Sequence, residues 1–514
     1  MKIISVDTMR HLDERTIDAG TPGEALMERA GEGIVREMLP FLERRVGERH
    51  RRRFVVLAGK GNNGGDGYVV ARLLCEQTEQ PVSVYSVCSV HDLSGDARTN
   101  ALRLPGGVAF EECEDLPPEA LLPGTVLVDA LLGTGIRGEL RAPYDRLVGQ
   151  VNASGLPVVA VDIPSGMNGD TGEAAGDAVV ADLTVTMAQP KRGLLTPTGQ
   201  ARCGVLRCVD IGIPASFVEE APGDGEAIFS RDVSSVLQRR PHDSHKGMFG
   251  HALVLGGSSR YVGAPVLVGE AALRVGTGLV TVGVPASVRD NIFLPLQALI
   301  VRGVPDGGDG VFHPAGGEVL ASAADDADAV VFGPGVGRHP SVREVLEFLL
   351  GTDLPLLIDA DGLRLLADLP PPSGRGAPLV VTPHPGEMRA LLSGFGLERL
   401  VDSPRREQAS ELAQRHGLWV VLKGMGTVVA APDGRTAINT SGDSGLASGG
   451  SGDVLSGLLG GLLAQGQEPW DALRLGVFLH GLAAELAVDS GRALVADDLL
   501  GRIGAAFREL TPFA

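Results

Sequence analysis

Short, continuous apolar runs alternate with stretches of helical spacing along this chain. From Asp7 to Met38 the residues Met9, Leu12, Ile17, Leu26, Met27, Ile34 and Val35 fall near helical spacing, with an interruption at Thr21-Pro22-Gly23. Runs of buried-strand character then begin at Phe54 (FVVLAG), Val82 (VSVYSV), Thr125 (TVLVDALLG), Pro157 (PVVAVDIPSG), Leu183 (LTVTMA) and Val205 (VLRCVDIG), and helical stretches such as Tyr68 to Glu76 lie between them. Such alternation predicts an α/β fold with a doubly wound parallel sheet, whose ligand crevice lies at the carboxyl ends of its strands. Val218 to Ala227, VEEAPGDGEA, is acidic and rich in Pro and Gly, and it reads as a boundary between domains at 1–220 and 228–514. A second α/β pattern follows: strands HALVLGG, LVTVGVP from Leu279, DAVVFGPG from Asp328, PLLIDADG from Pro355 and LVVTPHPGE from Leu379. Helix is predicted from Val266 to Val275 and from Leu475 to Val488, the latter including His480, and WVVLKGMGTVVA from Trp419 reads as a hairpin carrying Gly424 and Gly426.

Length and charge narrow the picture. A chain of 514 residues exceeds a single core, since domains split beyond ~250–300 residues. With 45 basic against 64 acidic residues the net charge is -19, which argues against nonspecific binding to nucleic acid or acidic membranes. Five cysteines without a C-x-x-C pair suit a reducing compartment and argue against a zinc site. The first residues carry no apolar signal region, and no run of about 18 apolar residues occurs later, so a soluble, cytoplasmic protein with no membrane partner is expected.

Chemistry concentrates in Thr440 to Gly457, TSGDSGLASGGSGDVLSG. Gly442, Gly445, Gly449, Gly450 and Gly452 let the backbone approach a ligand, Ser448 and Ser451 add donors, and a helix beginning near Asp453 would direct its amides at a phosphate. Asp453 itself either takes a proton, holds a metal, or completes the helix dipole. In the first half, GKGNNGGDG satisfies G-x-G-x-x-G through Gly59, Gly61 and Gly64, yet the acidic residue of a dinucleotide site is missing from the end of the next strand. Asn62, Asn63 and Asp66 suggest instead a glycine-lined pocket that reads polar groups. Two more strand ends carry polar groups: Asp129 with GTGIRGE, and DIPSG with Asp162 and Ser165. In the second half His384, between two prolines, reads on its own as a turn residue. Lys423 could reach a phosphate or the surface. Asp359 and Asp361 would face opposite sides of a strand, a strand-end network rather than a metal pair.

The combination GNNGGDG, VDALLGTG, VDIPSG and KRGLLTPTG resembles the NAD(P)H-hydrate epimerases over about Met9 to Glu219. The resemblance implies a Rossmann-like domain that binds the hydrated cofactor through Asn62, Asn63, Gly64, Gly65 and Asp66, through Gly133, Thr134, Gly135, Ile136, Arg137, Gly138 and Glu139, and through Asp162. It implies potassium (K+) held by Asn63, Asp129 and Ser165, with Asp162 as the acid beside the reacting carbon. C6 of the hydrate is a hemiaminal carbon, so moving its oxygen to the other face needs little beyond proton shuttling, which one carboxylate can supply.

The second half is similar to the ADP- or ATP-dependent NAD(P)H-hydrate dehydratases of ribokinase-like fold over about Phe229 to Phe513, through HKGMFGHALVLGGS, GPGVG, IDADGL, TPHPGEM, LKG and NTSGDSGLASGGSGDVLSG. By matching position, Ala264, Gly335, His384 and Asp453 would touch the hydrate. Lys423, Gly424, Met425, Gly426 and Thr427, with Asp443, Ser444, Gly445, Leu446, Ala447, Ser448, Gly449, Gly450, Ser451 and Gly452, would hold the nucleotide. The resemblance implies ADP (with ATP as the other donor), Mg2+, catalysis by Asp453 and a homo-oligomer. Ser451 stands where threonine is usual, and Pro265 replaces a small residue after Ala264. A ribokinase-like small-molecule kinase fused to a non-catalytic binding module is the alternative expectation.

Overall fold

The computed structural model describes the chain except for residues 47–52, 137, 238, 293–296, 488–492 and 512–514. It divides into two compact units, Met1–Ala227 and Ile228–Ala514.

The first unit is built on seven strands: β1 (Arg53–Ala58), β2 (Val82–Ser86), β3 (Val108–Glu112), β4 (Thr125–Ala130), β5 (Val158–Val161), β6 (Leu183–Met187) and β7 (Val205–Val209), in the order β3-β2-β1-β4-β5-β6-β7 and all parallel. Alternate side chains of β1 enter different cores. Val56 and Ala58 pack with Ile34, Val69 and Val128, whereas Val55 and Leu57 pack with Leu127, Leu147 and Val148. Burial on both faces is why the strand reads as unbroken apolar sequence. The order reverses between β1 and β4, so a crevice opens at their carboxyl ends. The expected helix at the start is two helices, Val6–Asp18 and Gly23–Val46, split at the predicted Pro-Gly step.

The strand β8 (Glu226–Ile228) spans the boundary, and the second unit carries β9 (His251–Leu255), β10 (Leu279–Pro285), β11 (Ile300–Val304), β12 (Ala329–Phe332), β13 (Leu356–Ile358), β14 (Leu379–Val381), β15 (Trp419–Leu422), β16 (Val428–Ala430) and β17 (Thr436–Asn439). Their order is β11-β10-β9-β12-β13-β14-β15-β16-β17-β8, parallel from β11 to β15 and antiparallel through β16 and β17. One face is covered by Ala264–Arg274, Ser451–Ala464, Pro469–Leu486 and Ala496–Leu510, and the other by helices that include Pro340–Leu350 and Pro385–Gly394. The helix Ser451–Ala464 lies very close to its neighbours. A Cβ at Gly457 would stand 2.2 Å from the Val268 carbonyl, and one at Gly460 would stand 2.1 Å from Val331 Cγ2.

The stretch read as a linker is tied down. Ala215–Glu220 is helical, and Lys2 Nζ donates to the carbonyls of Val218, Glu219 and Ala221 at 2.8, 2.9 and 2.8 Å. Among the described residues no helix is long and apolar enough to cross a membrane.

Candidate active sites

At the carboxyl end of β1 the chain enters the helix Asn62–Gln77 directly, so the asparagines and glycines expected as a loop form its first turns. Each glycine within a helix costs about 1 kcal/mol relative to alanine. Contact explains them here: a Cβ at Gly64 would lie 2.0 Å from the Gly59 carbonyl, and one at Gly67 would lie 2.6 Å from Ala130 Cβ. The helix start is thereby drawn against the end of β4, where Asp129 is wholly buried.

Asp129 Oδ1 accepts from Ser165 Oγ at 2.6 Å, and Oδ2 accepts from the Ser165 amide at 2.8 Å. Burial pushes its carboxyl up to about 6, against these hydrogen bonds. The Leu132 amide donates to Ser165 Oγ at 2.8 Å, and the next residue, Gly133, lies against Asn63. Asn63, Asp129 and Ser165 are therefore neighbours, and the Asn63 Nδ2 atom is buried without a partner among the described residues. A carboxylate, a hydroxyl and an amide carbonyl together offer a hard oxygen set. Beyond it Thr134 and Ile136 are half-buried and Gly135, Gly138 and Glu139 are exposed, and the Thr134 carbonyl accepts from Arg10 at 3.1 Å; Arg137 lies outside the described residues.

Asp162 follows β5 with φ +65, a backbone region unfavourable for a residue with a Cβ. Its Oδ1 accepts from Lys191 Nζ at 2.5 Å, Thr186 Oγ1 at 2.9 Å and the Met187 amide at 3.3 Å, while Oδ2 has no hydrogen bond to the described residues. One oxygen is thus anchored and the other is free for a ligand. Lys191 is 1% exposed, and it also donates to the Met187 carbonyl at 3.1 Å. Two further carboxyls share this electrostatic environment. Burial, then the charge of Asp162, hold Asp66 well above the usual range, and burial raises Asp13 to about 6 against the pull of Lys191. Neither Lys191 nor Asp13 stood out in the sequence as a site residue. Asp13 could have been noticed, because it falls on the helix face that buries Met9, Leu12 and Thr16.

In the second unit the helix begins at Ser451, two residues earlier than expected, which puts Asp453 in its first turn. Gly450 precedes it with φ +89. Asp453 makes no hydrogen bond to the described residues. Burial, then the Asp359 carboxylate, push it up to about 7, and Lys423 opposes them. Lys423 Nζ donates to Asp359 Oδ1 at 2.5 Å, and Ser456 Oγ donates to Asp359 Oδ2 at 2.7 Å. A Cβ at Gly452 would lie 3.5 Å from Lys423 Nζ, so the two expected nucleotide segments meet there. Ser448 Oγ is buried without a partner among the described residues, and Asp443 Oδ1 accepts from the Gly445 amide at 2.9 Å. Ser451 Oγ donates to the carbonyls of Leu446 and Ser448 at 2.8 and 3.0 Å, which ties the turn together. His480 is buried, its Nε2 donates to the Ser451 carbonyl at 2.9 Å, and burial lowers it to about 4.

His384 caps the helix Pro385–Gly394. Its Nδ1 accepts from the Gly386 and Glu387 amides at 2.9 and 3.3 Å, and the Glu387 carboxylate accepts from the His384 amide at 2.9 Å. Burial, then Lys423, lower its pKa, so the ring is neutral at pH 7 as an accepting Nδ1 requires. The turn reading holds, and the half-exposed side chain keeps its Nε2 beside Glu387 at 3.3 Å. Glu387 was not singled out in the sequence, although an acid three residues after a cap is a helix-start signal that could have found it. Ala264 and Gly335 are adjacent, with a Cβ at Gly335 falling 3.5 Å from Ala264 Cβ. Pro265 sits in the first turn of its helix, where its lack of an amide hydrogen costs nothing. Asp361 accepts from the Gly337 amide at 3.1 Å and diverges from Asp359, and no acidic or histidine cluster among the described residues could hold a metal.

Two family models match this chain: YjeF-related protein N-terminus over residues 23–193, and NAD(P)H-hydrate dehydratase over residues 252–504. A bifunctional NAD(P)H-hydrate repair enzyme Nnr of Coxiella burnetii is 38% identical over 498 residues, which are 96% of this chain and 96% of its own. That of Moorella thermoacetica is 36% identical over 524 residues, covering 99% and 97% of the two chains. Among solved structures, the ADP/ATP-dependent NAD(P)H-hydrate dehydratase from Bacillus subtilis co-crystallised with ATP/Mg2+ is 32% identical and covers 56% of this chain and 99% of its own, with a TM-score of 0.49.

Proposed function

The chain belongs to the family of bifunctional NAD(P)H-hydrate repair enzymes, and we propose how its two sites divide the repair. In the second unit Asp453 is the base. It accepts the proton of the C6 hydroxyl as that oxygen attacks the terminal phosphate of ADP or ATP, forming a phosphate ester and releasing AMP or ADP. The ring nitrogen then expels phosphate from C6, loss of a proton from C5 forms the C5–C6 double bond, and NAD(P)H results. Lys423 and the amides around Gly450 stabilise charge on the phosphoryl group in flight. The single observation that carries this assignment is the place of the Asp453 carboxyl: half-buried in the first turn of the helix that follows Gly450, without a hydrogen bond to the described residues, and raised to about 7 by burial and the Asp359 carboxylate. A base poised near the working pH is the most effective kind.

In the first unit Asp162 and Lys191 exchange a proton with the C6 oxygen. Oxygen leaves as water with the push of the ring nitrogen, and water returns on the other face to give the other epimer. Asp162 Oδ2 is the open position for this transfer. Potassium would be held by Asn63, Asp129 and Ser165, where it would fix the ends of β4 and β5 around the substrate. Magnesium would accompany the nucleotide phosphates and neutralise their charge. ADP as preferred donor, a cytoplasmic location and a homo-oligomer complete the proposal.

The test is an assay on a mixed pair of NADH-hydrate epimers, with ADP and ATP in parallel, following the return of reduced-nicotinamide absorbance. The intact protein is expected to consume both epimers. Asp162→Asn is expected to consume one at the normal rate and the other at least ~100-fold more slowly. No return of absorbance with either nucleotide, together with phosphorylation of a sugar, would instead support the small-molecule kinase.

A further inference from the structure

The turn Lys423 to Thr427 joins β15 to β16 and is organised by a side chain outside it. Arg405 opens the helix Arg405–His416, which packs against both strands. Its Nη1 donates to the carbonyls of Met425 at 2.5 Å and Gly426 at 3.4 Å, and its Nη2 donates to those of Leu422 at 2.9 Å and Lys423 at 3.0 Å. One guanidinium therefore holds four carbonyls from five successive residues. Gly424, with φ +140, lies between them, and a Cβ there would stand 3.0 Å from Nη2. The turn must be glycine at that point to admit the guanidinium.

Holding the carbonyls also fixes the amides. Within a planar trans peptide the carbonyl and the following amide point in opposite directions. The four carbonyls share their planes with the amides of Lys423, Gly424, Gly426 and Thr427. Lys423 spends its amide on the Pro383 carbonyl at 2.8 Å, whereas those of Gly424, Met425, Gly426 and Thr427 have no acceptor among the described residues. Amides of Gly424, Gly426 and Thr427 directed away from a guanidinium form a concave donor set of the kind that binds anions. No carboxylate pairs with Arg405 among the described residues, so its positive charge also remains available to an anion on the far side of the turn.

We propose that Arg405 is a positioning residue for the phosphoryl donor, holding the turn's carbonyls inward so that its amides face the nucleotide's phosphates. This rests on the reading of Lys423 to Thr427 as part of the nucleotide site. Arg405 does not touch the reacting atoms, so its effect falls on nucleotide affinity and leaves turnover at saturation nearly intact. A lysine at this position keeps the charge but loses the planar fork that reaches four acceptors.

The experiment compares the full chain with Arg405→Lys, Arg405→Ala and Gly426→Val. Measured are ADP and ATP affinity by equilibrium binding, dehydratase kcat and KM for nucleotide and hydrate, and the melting curve. Arg405→Ala is expected to raise nucleotide Kd and KM roughly tenfold to a hundredfold, with kcat within about threefold of the parent. KM for the hydrate should hold, and Arg405→Lys should fall between parent and Arg405→Ala. If Arg405→Ala does not fold, the lysine variant carries the same comparison. Parent-like nucleotide affinity in the Arg405 variants, or equal losses for nucleotide and hydrate, overturns the proposal. Should Gly426→Val also bind nucleotide normally, the reading of the turn fails with it; should only Gly426→Val be impaired, Arg405 alone loses its role.

Discussion

Asp453→Asn is expected to lower dehydratase kcat by ~10²–10⁴-fold, the usual contribution of a positioned base, while epimerisation by the same chain continues. In the parent, kcat/KM should rise with pH through about 7 as the carboxyl loses its proton. The variant should also be more stable above neutral pH. The native carboxyl keeps its proton up to about 7, whereas an unfolded chain releases it near 3.8. Between those limits the native state binds more protons, so its stability falls as pH rises, by up to ~1.4 kcal/mol per unit for a fully responding group. Asparagine removes that loss, which would show as a raised melting temperature at pH 8 and no change below pH 4. Unchanged turnover in the variant would sink the assignment of Asp453 as base. An unchanged melting temperature at pH 8 would contradict the burial argument only.

Lys191→Met is expected to be among the most damaging single changes in the first unit. The ammonium is 1% exposed, bonded to Asp162 at 2.5 Å, and it draws the pKa values of both Asp13 and Asp66 downward. Methionine matches its volume but strands those acids without a cation, and removing one partner of a buried pair costs about 3–5 kcal/mol. The loss should be greatest near neutral pH and shrink in acid, where the stranded carboxyls take protons and need no partner. Epimerase activity should disappear while dehydratase activity of the same chain persists at temperatures below the transition. Adding Asp162→Asn to Lys191→Met should restore part of the stability, an interaction of about 1–3 kcal/mol in a double-mutant cycle. Simple additivity of the two losses would show that the pair does not act as a unit.

Much of this was legible in the sequence because the central strands bury both faces. Phe54 to Ala58 and His251 to Leu255 feed separate cores on alternate residues and so read as unbroken apolar runs. Strands β3 and β11 were missed for the converse reason. Each lies at the edge of its sheet, where residues such as Ala109, Glu111, Glu112 and Ile300 face solvent and the pattern dissolves. Asp162, Asp129 and Asp453 were legible because short-range motifs surround them. Asp13 and Arg405 act across the fold on Lys191 and on the turn after β15, and no local spacing encodes such a meeting. The glycines of Asn62 to Gly67 were read as lining a pocket, whereas the Cβ positions of Gly64, Gly65 and Gly67 are filled by Gly59, Met27 and Ala130.

The same principle bears on how the second site can move. The helix that carries Asp453 is seated on Gly457 and Gly460 against the Val268 carbonyl and the Val331 side chain. A helix with backbone contact on that face has no slack to slide or rotate, so Asp453 is a fixed landmark. Adjustment on ligand binding is left to the turn at Thr440 to Gly450, which makes this helix the natural frame on which to superpose ligand-bound states.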